Sequence, residues 1–233
     1  MAIAFDTATK GYTGGATTLT VSHTTAGTER ALLVSLWTAG ATERVTGVTY
    51  GGAAMTQLVK KQDAASGWCY VYGLLAPAVG SNNVVVSVSA SIEMAVINLS
   101  YSNVKQSGLP DATASFEDLA KTSPLRHSVT TVADNCFVVG FVHFPNLALT
   151  AEQTARYSNG TSMFAADTGP VTPAWSTELG WTFTGTITDC VTLMVSIAPV
   201  PTSIKTINGL AIASVKSING LAIASVKTIN GLS

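Results

Sequence analysis

Three histidines, thirteen carboxylates and three cysteines are the side chains through which this 233-residue chain could do chemistry. Their spacing joins few of them. His23, His127 and His143 stand in separate strand-like segments. His143, in FVHF, reads as a strand residue with one ring nitrogen satisfied rather than as a base or a ligand. Glycoside hydrolysis would need two carboxylates facing across a cleft. Glu93, Asp111, Glu117, Asp118 and Glu152 are candidates, yet no spacing pairs any two of them. There is no Gly-x-Ser-x-Gly elbow, His-Glu-x-x-His or phosphate-binding glycine loop. Cys69, Cys136 and Cys190 lie far apart in apolar runs without C-x-x-C spacing, so they read as buried thiols made in a reducing cell. The expectation is a protein that is not an enzyme and has no catalytic residues, metal or cofactor.

Recognition chemistry has more to draw on. Trp175, Trp181, Tyr157 and Phe164 fall in one stretch, and aromatic rings serve sandwich modules as stacking platforms for sugars. Trp181 alternates like a strand residue in LGWTF and is expected in the core. Core packing is the commoner fate of such rings, and Trp175, between Pro173 and Ser176, is the better candidate for an exposed ring and a glycan contact.

The elements that must position these groups are strands. Apolar residues make up 47% and charged residues 11% of the chain, with Thr, Ser, Ala, Val and Gly filling the rest. That mixture suits short strands joined by small-residue turns. Strand patterns recur at 18–23, 30–37, 44–52, 54–61, 67–77, 82–91, 93–103, 127–133, 135–144 and 189–199. Val84, Val86 and Val88 point one way while Val85, Ser87 and Ser89 point the other. The runs beginning at Ala31 and Cys136 are nearly continuous apolar, as central strands covered on both faces require. Stretches 104–126 and 145–187 read as long connections, and Ser115–Lys121 as one or two helical turns within the first. The fold expected is all-β, an antiparallel jelly-roll β-sandwich over residues 1–200. An extended C-terminal β-repeat tail follows over 201–233. No secretion signal is visible in MAIAFDTATK, and the longest apolar runs, about nine residues, are too short for a membrane span. Synthesis in the cytoplasm and no membrane partner are expected.

The tail nearly repeats itself: SIKTINGLAIA, SVKSINGLAIA, SVKTINGLS. Its apolar positions are Ile204, Ile207, Leu210, Ile212, Val215, Ile218, Leu221, Ile223, Val226, Ile229 and Leu232, four per eleven residues. A helix with this repeat would place three per eleven and would have to absorb a glycine in each unit. A plain strand would space them by two. What fits is short extended pieces bent at Asn208-Gly209, Asn219-Gly220 and Asn230-Gly231. Each piece has an apolar edge that a single strand cannot cover. Fully extended, the tail would reach roughly 100 Å. Its lysines, Lys205, Lys216 and Lys227, give it +3 against −4 for residues 1–202, too little positive charge for a nucleic-acid partner. The apolar edge is expected to be covered by another copy or another protein. The preferred picture is three tails intertwined about a threefold axis, and the alternative is a tail folded back on its own sandwich or serving as a linker.

VTYGGAAMTQLVKK, WCYVYGLLAPAVGSNNVVVSVSAS, INLSYSNVKQSGLPDATA and LTAEQTARYSNGTSMFAADTGP, followed by LGWTFTGTITDCVTLMVSIAP, occur in that order. Together they resemble the jelly-roll modules of the concanavalin A/laminin G type in phage virion and bacterial surface proteins. The IKTINGLA repeat resembles tails appended to phage structural proteins. The resemblance implies a virion setting and a capsid decoration (cement) protein on the outer capsid surface, a homotrimer that bridges major capsid subunits. Two alternatives stand beside it: a trimeric tail-fibre subunit that recognises host glycans, and a carbohydrate-binding surface module.

Overall fold

The computed structural model describes residues 1–63, 67–143, 146–160 and 162–201, and the backbone of four two-residue strands in the tail. The body is all-β and antiparallel, as expected. Its first seven strands form one sheet: β1 (Ala4–Thr25), β2 (Ala31–Ala39), β3 (Val45–Tyr50), β4 (Ala53–Ala54), β5 (Thr56–Asp63), β6 (Gly67–Leu75) and β7 (Gly80–Ser102). The order across it is β4-β3-β7-β2-β6-β5, with β1 on β7. Five later strands form a second sheet. They are β8 (Ala112–Thr122), β10 (Phe137–His143), β12 (Thr154–Ser158), β13 (Met163–Asp167) and β15 (Thr186–Ile197), in the order β12-β13-β10-β15-β8. A third sheet joins β9 (Leu125–Thr130), β11 (Thr150–Ala151) and β14 (Ser176–Thr182), in the order β11-β14-β9.

Alternation along the strands explains the layers. The central core lies between the first two sheets, where Leu33, Ile97 and Leu99 meet Val139, Phe141 and Leu193. The other face of the second sheet carries Val138, Val142 and Met194, covered by Leu179 and Trp181 of the third. Both β2 and β10 are therefore buried on both faces, as their continuous apolar runs require.

The first sheet covers its own outer face. Register shifts at Thr13, Ala16 and Thr18 interrupt the pairing of β1 with β7, as β-bulges do when they bend a ladder. Beyond that point β1, β7 and β3 place Leu19, Val84, Val86 and Tyr50 against Leu32, Val34 and Leu36. The close approach of the two halves of β1 is why residue 11 is glycine: a Cβ there would collide with Val21 Cγ2.

Three expectations need correction. Ser115–Lys121 is not helical but lies in β8, an edge strand whose charges hide its period. The stretch 145–187 is not a long connection, since it supplies β11 to β14. Residues 82–91 and 93–103 fall in one bent strand, β7, up to Ser102.

Polar ties cross between the first two sheets. Tyr101 donates its hydroxyl to Asp167 Oδ2 at 3.0 Å. Arg156 grips the same carboxylate, with Nε 2.5 Å from Oδ2 and Nη2 3.1 Å from Oδ1, and its guanidinium lies 4.4 Å from the Phe5 ring centre. A buried carboxylate needs such pairing, because desolvating a lone charge costs several kcal/mol.

Candidate functional site

The groups that looked reactive are mostly engaged in holding the fold. Cys69, Cys136 and Cys190 are free and buried. Burial pushes the Cys136 and Cys190 thiols up to about 11 and about 12 and drives Cys69 well above its usual range, so all three are poor nucleophiles. His143 is fully buried, and its Nε2 lies 2.8 Å from Ser35 Oγ of the facing sheet. Its Nδ1 has no hydrogen-bond partner among the described residues. This is the strand residue with one satisfied nitrogen that FVHF predicts. Burial lowers it to about 4, so it is neutral at pH 7. His23, with Nδ1 2.8 Å from Thr9 Oγ1, is lowered to about 4 by the same cause. His127 stacks on Phe116 with ring centres 4.0 Å apart and places Nε2 2.6 Å from Asp118. Burial pushes Asp118 upward, but the bond and charge of His127, with Lys121 nearby, outweigh it and hold the carboxyl below its ordinary value.

The five carboxylates considered for hydrolysis are dispersed. Glu93 accepts from Tyr12, and Asp111 accepts from the Val132 backbone and Ser196. Glu152 accepts from Arg126 at 2.8 and 2.6 Å. Glu117 lies 3.7 Å from Lys61. The fold instead groups Glu117 with two residues that the spacing did not single out, Asp63 and Asp189. Carboxylate oxygens of these three lie within 4.8 Å of one another, where β5 packs beside β8 and β15. The available signal was Asp189 itself, a charge interrupting the apolar period of β15 on the face shared by Val191 and Leu193.

Trp175 is where the aromatic argument put it: 72% exposed, while Trp181 is 1% exposed in the core. Its backbone is fixed to Thr131, which donates N–H to the Trp175 carbonyl at 3.1 Å and accepts the Trp175 N–H on Oγ1 at 3.1 Å. The next residue, Val132, is 74% exposed. The two make a small apolar knob at one end of the β9–β14 ladder. Of the other rings, Phe164 is buried and Tyr157 half-buried.

In the tail, β16 (Thr206–Ile207) pairs with β17 (Leu210–Ala211), and β18 (Ser217–Ile218) with β19 (Leu221–Ala222). Ile207 faces Leu210 and Ile218 faces Leu221, so the same register recurs eleven residues apart. The residues between the paired strands are Asn208-Gly209 and Asn219-Gly220, which lie outside the described residues. So do Ile204, Ile212, Val215, Ile223, Val226, Ile229, Asn230, Gly231 and Leu232. Comparison of the chain with protein-family models, curated proteins and solved structures returns no match.

Proposed function

We propose that this protein is a phage virion structural protein, a decoration (cement) protein that bridges major capsid subunits and works as a homotrimer. The observation that carries the reading is the repeated pair of short tail strands. Each is a two-stranded ladder, and among the described residues neither gains a third strand. Such a ladder is marginal in water and gains stability from strands or an apolar layer supplied by a neighbour. Three tails together, or a tail on a capsid subunit, supply that cover. The body suits a rigid spacer, with three apolar cores between stacked layers. Added strand pairing and buried area would hold shell subunits against internal DNA pressure. Trivalency would multiply weak contacts through effective concentration.

Co-sedimentation with purified expanded capsids tests this. The expected result is saturable binding at a fixed ratio to the lattice, lost when residues 203–233 are removed. Retention on host cells without any capsid binding would overturn it. That outcome would favour a second reading, a trimeric fibre subunit recognising host glycans, which the exposed Trp175 ring supports.

A further inference from the structure

A groove of about 550 Å³ opens where an edge of the first sheet meets the edge of the second. One wall is the β1–β7 pair, bearing Lys10, Tyr12 and Glu93. The other is the β12–β13 hairpin, bearing Tyr157, Asn159 and Ser162. It is distinct from the Trp175 knob, which stands on the third sheet. Its volume is that of a small-molecule site rather than a packing defect.

The side chains are arranged in a particular way. Tyr12 is 64% exposed, yet its hydroxyl donates to Glu93 Oε1 at 2.9 Å, which fixes the direction of an otherwise free ring. The Lys10 ammonium lies 5.8 Å from the centre of the Tyr157 ring, bridging the seam between the sheets. Asn159 Oδ1 accepts the backbone N–H groups of Ser162 and Met163 at 2.9 and 2.7 Å, leaving its NH₂ group as a donor. The groove thus offers an aromatic face held in place, a carboxylate acceptor, ammonium and amide donors, and a hydroxyl.

Charge narrows the occupant. An anion drawn to Lys10 would meet Glu93, and a cation drawn to Glu93 would meet Lys10. An apolar ligand would strip water from both charges, leaving Glu93 only its Tyr12 bond and Lys10 only the Tyr157 ring. A neutral polyol fits all of them: ring C–H groups lie on the tyrosine face, while hydroxyls donate to Glu93 and accept from Lys10 and Asn159. We propose that this groove is a binding site for a neutral saccharide, with Tyr12 as its stacking platform and Glu93, Lys10 and Asn159 as its hydroxyl-recognising groups. The site does not depend on whether the body decorates a capsid.

The test uses the full-length ¹⁵N-labelled protein titrated with the methyl glycosides of glucose, galactose, mannose and N-acetylglucosamine, each to tens of millimolar. The expected result is saturable shifts at the amides of Tyr12, Glu93 and Tyr157 with at least one sugar. Tyr12→Ala should weaken that binding about tenfold with an unchanged thermal midpoint, and Glu93→Gln should weaken it without abolishing it. No saturable shift with any of the four, shifts centred on Trp175, or full affinity in Tyr12→Ala each overturn the proposal. Sugar binding without capsid association leaves the groove standing and removes the decoration reading; the converse does the reverse.

Discussion

At the scale of single residues, the fold spends its titratable groups on structure, and this sets how it answers acid. His23 and His143 are buried and neutral. In the unfolded chain each takes a proton near its usual value of 6.5, but in the fold only near about 4. The unfolded state therefore binds more protons throughout that window, and stability falls as pH drops through it. Each histidine contributes a slope of about 1.4 kcal/mol per pH unit in mid-window. Urea midpoints measured across the window should fall steadily, and His143→Gln should remove about half of the slope. A midpoint that stays flat from about pH 7 to about pH 5 would contradict the burial of these rings as neutral species. FVHF already indicated such a histidine, because an imidazole in an apolar strand has few other fates. The Asp63–Glu117–Asp189 grouping was not visible in that way. It depends on which strands become neighbours, and β5 and β15 are more than a hundred residues apart along the chain.

Among the elements, a close constraint within the core is the contact of the second and third sheets at Gly140. A Cβ there would stand 2.9 Å from Trp181 Cη2 and 3.3 Å from Leu179 Cδ1. Gly140→Val should lower stability by about 1–3 kcal/mol, the usual range for overpacking a core. Adding Trp181→Leu should recover part of it, as thermal melts of the single and double variants would show. An undiminished midpoint in Gly140→Val would mean that the layers slide apart at little cost. Legibility also divided by element. The strands through Ala31 and Cys136 declared themselves because burial on both faces leaves only apolar residues. The first half of β1 and all of β8 did not. Each is an edge strand carrying glycine, lysine or acids, and edge positions are where charge is tolerated and hydrophobic period fades. The single strand β7 read as two because the valine alternation over 84–88 gives way after Ser91 to the continuous apolar run that starts at Met94.

At the scale of the molecule, body and tail answer different questions. All three apolar cores lie between Ile3 and Met194 or Ile197, so a chain ending at residue 202 should melt within about 2 °C of the intact protein. If the tail trimerises the chain as proposed, sedimentation velocity should show trimers for the full chain and monomers for the same truncated chain. A truncated chain that remained trimeric would remove the tail from assembly. The strand pattern conveyed the all-β sandwich, but not that each sheet is assembled from one continuous half of the chain. That arrangement governs how the protein comes into being. When Ser102 leaves the ribosome, the first sheet has all its hydrogen-bonding partners. Its inner face, with Leu33, Ile97 and Leu99, then has nothing to lie against until the strands from Ala112 to Ile197 follow. At roughly 5–20 residues per second that interval is on the order of ten seconds. The Tyr101 hydroxyl and Ser35 wait through it for Asp167 and His143. The adhesive surface of this protein is thus largest in the nascent chain, and a crowded cell would need chaperones for its birth more than for its maintenance.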